Sequence, residues 1–135
     1  MIAKHYELQW NCYMIHQMRR NKVPVSRIAD ALQWHPRRVY RALKRPAPPR
    51  PPEMSLVWRG HALCFGADPR LWVGAGEHHS PTDIAEAKRI CSMCPVRAAC
   101  LGEALENNEP GGVWGGLTED ERQALKTGSV DSLAG

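Results

Sequence analysis

The sequence predicts an all-α chain in two parts, a small helix-turn-helix-like domain followed by a helical four-cysteine domain. Three observations carry that expectation. Apolar residues recur at three- and four-residue spacing in both halves, and no convincing strand alternation is present. A run of prolines divides the chain near its middle. Four of the five cysteines fall after that run.

At 135 residues the chain is long enough for one ordinary domain or two very small ones. Hydrophobic residues make up 43% and charged residues 24%, which excludes a globally disordered chain. No apolar run approaches the roughly 20 residues of a membrane span. Met1 to Trp10, with Lys4, His5 and Glu7, lacks a signal-peptide core. The expectation is a cytoplasmic protein with no membrane partner.

Tyr6 to Met18 is the expected first, supporting helix. Val25 to Lys44 then reads VSRIADALQWHPRRVYRALK. Ile28, Ala29 and Leu32 form one apolar face, and Val39, Ala42 and Leu43 form another. Trp34 and His35 lie between them, and Pro36 suits the first position of a second helix. This is the layout of a helix-turn-helix, with small Ala29 at the crossing and Gln33 where the turn commonly has glycine. The second helix carries Arg37, Arg38, Tyr40, Arg41 and Lys44, placed for phosphates or base edges. Charge agrees with that placement. Residues 1–52 carry eleven Lys and Arg against Glu7 and Asp30, a formal +9, whereas the remainder carries seven against twelve, −5. The basic half is the candidate for nucleic acid; the competing reading is a basic helical hairpin that contacts protein. Cys12, far from the other cysteines, is expected to be an incidental thiol.

Arg45 to Pro52 reads RPAPPRPP and holds five of the 11 prolines. Such a run favours extended polyproline II, roughly 25 Å long at about 3.1 Å per residue. The expected organisation is therefore 1–44, a linker over 45–52, and 53–135.

In the second half, Ser80-Pro81-Thr82-Asp83 is a helix start: Ser80 caps, Pro81 takes the first position and Asp83 suits the positive end of the dipole. The helix runs on to Cys91, with Ile84, Ala87 and Lys88 at neighbouring positions. A second helix is expected from Pro95 to Asn107 and a short one from Thr118 to Lys126, where Thr118 and Glu121 form a capping box.

The cysteines are spaced Cys64-x26-Cys91-x2-Cys94-x5-Cys100. A Cys-x2-Cys pair brings two thiolates to one centre from a tight turn, and in a reducing compartment such spacing points to metal or redox chemistry. Four thiolates suit Zn²⁺ or an iron–sulfur cluster. One tight pair with a remote fourth ligand leans towards iron–sulfur and leaves zinc open. Buried unligated thiols and a dithiol at Cys91 and Cys94 are further readings. His78 and His79 are expected to form a polar loop, since four thiolates already complete a site. Gly111, Gly112, Gly115 and Gly116 bracket Val113-Trp114 in a tight loop, either a cover beside the metal centre or an ordinary turn with Trp114 in the core.

From Trp58 to Lys126 the chain resembles WhiB-like proteins, an actinobacterial and actinophage family of iron–sulfur transcription regulators. The matching stretches are Trp58 with Ala62-x-Cys64, Asp68-Pro69, Ala87-Lys88-x-Ile90-Cys91-x2-Cys94-Pro95-Val96, Cys100-Leu101, and Gly112-Val113-Trp114-Gly115-Gly116-Leu117-Thr118-Glu119-x-Glu121-Arg122. The resemblance implies that Cys64, Cys91, Cys94 and Cys100 bind a [4Fe-4S] cluster responsive to oxygen and nitric oxide. It also implies docking on domain 4 of the primary sigma factor of RNA polymerase, with Trp58, Trp72, Val73 and Trp114 as the aromatic surface and Gly112 to Gly116 as the cluster-adjacent turn. Two departures stand out. The family usually has an aromatic pair where this chain has Trp72-Val73. Its basic C-terminal tail is replaced by residues 117–135 with a net charge of −2, so contact with promoter DNA is expected from the N-terminal half. The expected function is a transcription regulator and not an enzyme. The alternatives are a protein disulfide reductase using Cys91 and Cys94, or a zinc-stabilised interaction module.

Overall fold

Helix α1 (Ile2–Arg20) is the axis on which both halves are assembled. The computed structural model describes residues 2–54, 58–64 and 80–128. Six α-helices are described, joined by turns and one 3₁₀ turn: α1, α2 (Val25–Leu32), α3 (Pro36–Leu43), the 3₁₀ turn Arg59–His61, α4 (Pro81–Ser92), α5 (Arg97–Asn107) and α6 (Glu119–Gln123). The described residues hold no strand, which bears out the all-α expectation.

Tyr6, Trp10, Met14, Ile15 and Met18 recur at helical spacing along α1 and are all buried. On one side they meet Ile28, Ala29 and Leu32 of α2 and Val39 of α3. On the other they meet Ala98, Ala99 and Leu101 of α5, together with Trp58, Leu117 and Leu125. One core therefore spans both sides of the proline run, a question the sequence leaves open. The two halves approach closely at Gly102 of α5, where a Cβ would overlap the Trp10 ring. The proline segment lies along this body: the Tyr6 hydroxyl donates to the Pro52 carbonyl at 2.7 Å, and Arg50 pairs with Glu106 at 2.7 Å.

The turn between α2 and α3 explains the missing glycine. Gln33 takes the left-handed conformation (φ +58°), and the N–H groups of Gln33 and Trp34 donate back to the Asp30 and Ala29 carbonyls. This is a Schellman ending, in which a non-glycine residue tolerates positive φ at modest cost. His35 then caps α3, its Nδ1 accepting from the Arg37 N–H at 3.1 Å, with Pro36 at the first position.

Two expected boundaries shift. The helix expected from Pro95 begins at Arg97, because the Cys91–Cys94 turn must close first, through Cys94 N–H to the Cys91 carbonyl at 3.1 Å. The helix expected to reach Lys126 ends at Gln123, and the chain continues as turns that bury Leu125. The Ser80 cap and the Thr118–Glu121 capping box form as expected.

Candidate metal centre

Three separate pieces of chain carry the four cysteines to one place. Cys64 follows the 3₁₀ turn, Cys91 sits in the last turn of α4, Cys94 in the connection after it, and Cys100 one turn into α5. All four line a single cavity of about 420 Å³, whose remaining walls include Trp58, Val96, Arg97, Val113, Trp114 and Gly115. None of the four, nor Cys12, is in a disulfide. Among the described residues, no three His, Cys, Asp or Glu side chains are grouped closely enough to hold a single metal ion. The thiols ring a space instead of meeting at a point.

Each wall is fixed by a local device. The Cys64 segment is anchored by Trp58, only 3% exposed, and by an ion pair between Arg59 and Glu103 of α5. Val113 is buried against Ala87 and Cys91, while Lys88 reaches Glu121 at 2.8 Å and ties α4 to α6. Trp114 and Leu117 exchange two backbone hydrogen bonds, at 2.9 and 3.1 Å, across Gly115-Gly116. Both central residues have positive φ (+58° and +86°), the requirement of a type I′ turn. Gly115 also lies against α5, where a Cβ would come within 2.5 Å of Leu101 Cβ. That approach lets the Gly115 N–H donate to the Cys100 sulfur.

Electrostatics favour a cationic guest. Burial pushes the Cys100 thiol up to about 12, with the Gly115 N–H opposing it and Cys91, Cys64 and Cys94 adding to it. Burial likewise raises Cys64, reinforced by Cys94 and Cys91. Thiols that oppose one another's ionisation ionise together only around positive charge, so loading the site releases protons.

Three functional residues escaped the sequence analysis. Arg122, counted there as a tail charge, is 2% exposed and is the clamp of the glycine loop. Its guanidinium donates to the carbonyls of Leu117 (2.7 Å), Gly111 (2.6 Å), Glu109 (3.0 Å) and Gly112 (3.1 Å). Glu7, counted only as an acid in a basic half, accepts from the N–H groups of Ala98 (2.6 Å) and Ala99 (2.8 Å). Those are the donors that a helix cap normally serves, and Val96 at the start of α5 has no side chain to do so. Burial raises the Glu7 carboxyl to about 7, outweighing those two bonds and the nearby Arg97. Arg97 lines the cavity and donates to the Ala31 carbonyl of α2 at 2.6 Å. One signal for it was in the sequence: it stands three residues from both Cys94 and Cys100, on the same face of α5 as Cys100.

The remaining candidates fall as follows. Trp58 is a core residue and a cavity wall, and Trp114 is half-buried at the cavity edge. Trp72, Val73, His78 and His79 lie outside the described residues. Arg37, Arg38, Tyr40, Arg41 and Lys44 are all exposed on α3, Tyr40 at 56%, opposite buried Val39. Arg38 stacks on Trp34 at 3.7 Å, which holds it against the turn. Cys12 is half-buried, distant from the cavity lining. No helix among the described residues is long and apolar enough to cross a membrane.

The family described as "Transcription factor WhiB" matches residues 58–125. The transcriptional regulator WhiB1 of Mycobacterium tuberculosis is 46% identical over 72 residues, 53% of this chain and 86% of the relative. WhiB2 of the same organism is 44% identical over 88 residues, 63% of this chain and 94% of the relative. WhiD of Streptomyces coelicolor is 48% identical over 71 residues, 50% of this chain and 63% of the relative.

Proposed function

Because the chain belongs to the WhiB family of transcription factors, we propose that it regulates transcription from the cytoplasm through a [4Fe-4S] cluster held by Cys64, Cys91, Cys94 and Cys100. Its relatives are named transcriptional regulators, and this chain is read as a regulator and not an enzyme. The observation that carries the cluster reading is the cavity itself: four thiols from three segments surround one space. The donor set fits an iron–sulfur cluster, which is held by four thiolates and tuned by hydrogen bonds to sulfur, here from the Gly115 N–H. When bound, the cluster supplies a redox-active centre open to attack by small oxidants.

The chain's own residues do the rest. Cys64 and Cys100 draw the 3₁₀ turn and α5 together. Arg122 and the Gly115-Gly116 turn hold Trp114 at the cavity edge, where it is the central contact for domain 4 of the primary sigma factor. Trp72 and Val73 complete that docking surface in this reading, and Trp58 supports it from the core. Promoter DNA is contacted by Arg37, Arg38, Tyr40 and Arg41 of α3 and by Lys44 at its end, the exposed face of a helix-turn-helix whose apolar faces are buried in the shared core.

Anaerobic purification of the full chain with metal analysis tests the reading. Iron and acid-labile sulfide in equal amounts, in a brown protein, are expected. Stoichiometric zinc in a colourless protein overturns it.

A further inference from the structure

The structure assigns Arg97 a role beyond the cavity: we propose that it is the positioning residue through which occupancy of the cysteine cavity governs the order of the helix-turn-helix. The inference rests on the cavity being a metal centre, as proposed above.

Helix α2 ends in a Schellman motif that satisfies the carbonyls of Ala29 and Asp30. The last four carbonyls of a helix lack helical partners, so those of Ala31 and Leu32 remain. Arg97 reaches from the other half of the chain and donates to Ala31 at 2.6 Å. A cation at that end also suits the negative pole of α2. The first helix of the DNA-contact unit is thus capped by a residue of the cavity wall.

The same guanidinium is poorly compensated where it sits. Its Nε–H is buried and has no hydrogen-bond partner among the described residues. Nε lies 3.0 Å from where a Gly116 Cβ would stand, so the glycine turn packs directly over it. Glu7 is nearby, but its two oxygens are taken by the Ala98 and Ala99 N–H groups. The Cys91, Cys94 and Cys100 thiols are close enough to act on the Arg97 charge once ionised. A buried cation without a counter-charge is strongly unfavourable. Four thiolates around a metal centre supply that counter-charge and hold Arg97 in place, with its cap on Ala31 intact. Without that centre the counter-charge is gone, and the guanidinium is drawn towards water, releasing the end of α2. Holding or losing the centre is thereby converted into order or disorder of α2 and α3, without any contact between the centre and DNA.

Hydrogen exchange read by mass spectrometry tests this on the full chain, reconstituted anaerobically with ferrous iron and sulfide or stripped by a chelator. In the unsubstituted chain, peptides within residues 25–44 should exchange about tenfold more slowly when loaded. In Arg97→Gln, which loads but carries no charge, the difference should shrink to less than about threefold. A variant that loads and keeps the full difference overturns the proposal, as does an unsubstituted chain that loads without protecting 25–44. If Arg97→Gln fails to fold, Arg97→Lys decides. Its single ammonium cannot serve both the cavity and Ala31, so a reduced difference supports the link and an undiminished one overturns it. The two readings fail separately. If the chain loads zinc in place of iron and sulfide but protection of 25–44 still depends on Arg97, the link stands and the cluster reading falls. An iron–sulfur chain whose protection is the same in all variants has the opposite meaning.

Discussion

Arg122→Met removes the clamp of the glycine loop while keeping most of its volume. Four carbonyls lose their donor. The bond to Leu117 is fully buried, and a buried charge-assisted bond contributes about 2 to 3 kcal/mol. The Glu109, Gly111 and Gly112 carbonyls belong to half-buried residues that water can reach, so each adds roughly half a kcal/mol or slightly more. Against these stands the relief of a buried charge, since burial already disfavours the cation and lowers the Arg122 pKa. The net expectation is a loss of about 3 kcal/mol, a large fraction of the 5 to 15 typical of a domain. With a urea m-value of about 2 kcal/mol/M, the unfolding midpoint of the metal-free chain falls by roughly 1.5 M. The loop that Arg122 holds also carries Gly115, so the variant should release iron to a chelator faster than the unsubstituted chain. A midpoint shift below about 0.3 M would refute the assignment of Arg122 as a structural clamp.

Three other expectations follow from the same geometry. The Glu7 carboxyl is raised from 4.5 to about 7, so its contribution to stability is fully present below 4.5 and lost as pH rises through about 7; at 1.36 kcal/mol per pH unit this is at most about 3 kcal/mol. Urea titrations at pH 5 and pH 8 should therefore show a larger drop for the unsubstituted chain than for Glu7→Gln, and parallel drops would refute the raised carboxyl. Gly115→Ala meets both positive φ and the backbone of α5; it should lower stability by about 2 kcal/mol and speed iron loss to a chelator about tenfold, whereas unchanged retention would show that the turn is not part of the centre. Replacing Arg37 and Arg41 together with alanine should reduce the slope of log K for duplex DNA against log salt by about two, and an unchanged slope would place DNA contact elsewhere.

Much of this architecture was legible because it is written in local chemistry. Proline at the first position of α3 and α4, serine and the threonine–glutamate box at helix starts, and the three- to four-residue apolar spacing each act within a few residues. The Cys-x2-Cys turn and the paired glycines are equally local, and so the cavity's cysteines and its cover were identifiable in advance. What was not legible acts across distance. Glu7 serves N–H groups 91 and 92 positions away, and Arg97 serves a carbonyl 66 positions away. Neither of these distant partners can be read from the sequence, because a buried charge on a helix looks like a solvated one until its neighbours are known. Arg122 was misplaced for the same reason. It was counted only in the net charge of 117–135, whereas it lies buried beneath the loop.

The shared core also decides how the two halves are to be separated experimentally. Opposite charges of +9 and −5 invite deletion of residues 1–52 as a test of DNA contact. That deletion would remove α1, and with it Trp10 packed on Gly102 and the carboxylate that caps α5. It would also strip Arg97 of its carbonyl on α2. Loss of function after such a cut reports on the cluster half as much as on DNA. Substitutions on the exposed face of α3 leave buried Val39 and the Ala31–Arg97 contact in place, so they test the proposed phosphate contacts without unroofing α5. Charge removal at Arg37 and Arg41 is therefore the discriminating experiment. The same contacts tie the basic N-terminal half to the rest of the fold: α1 is a wall of the core shared with α5, and α3, held by that core through Val39, turns Arg37, Arg38 and Arg41 to solvent.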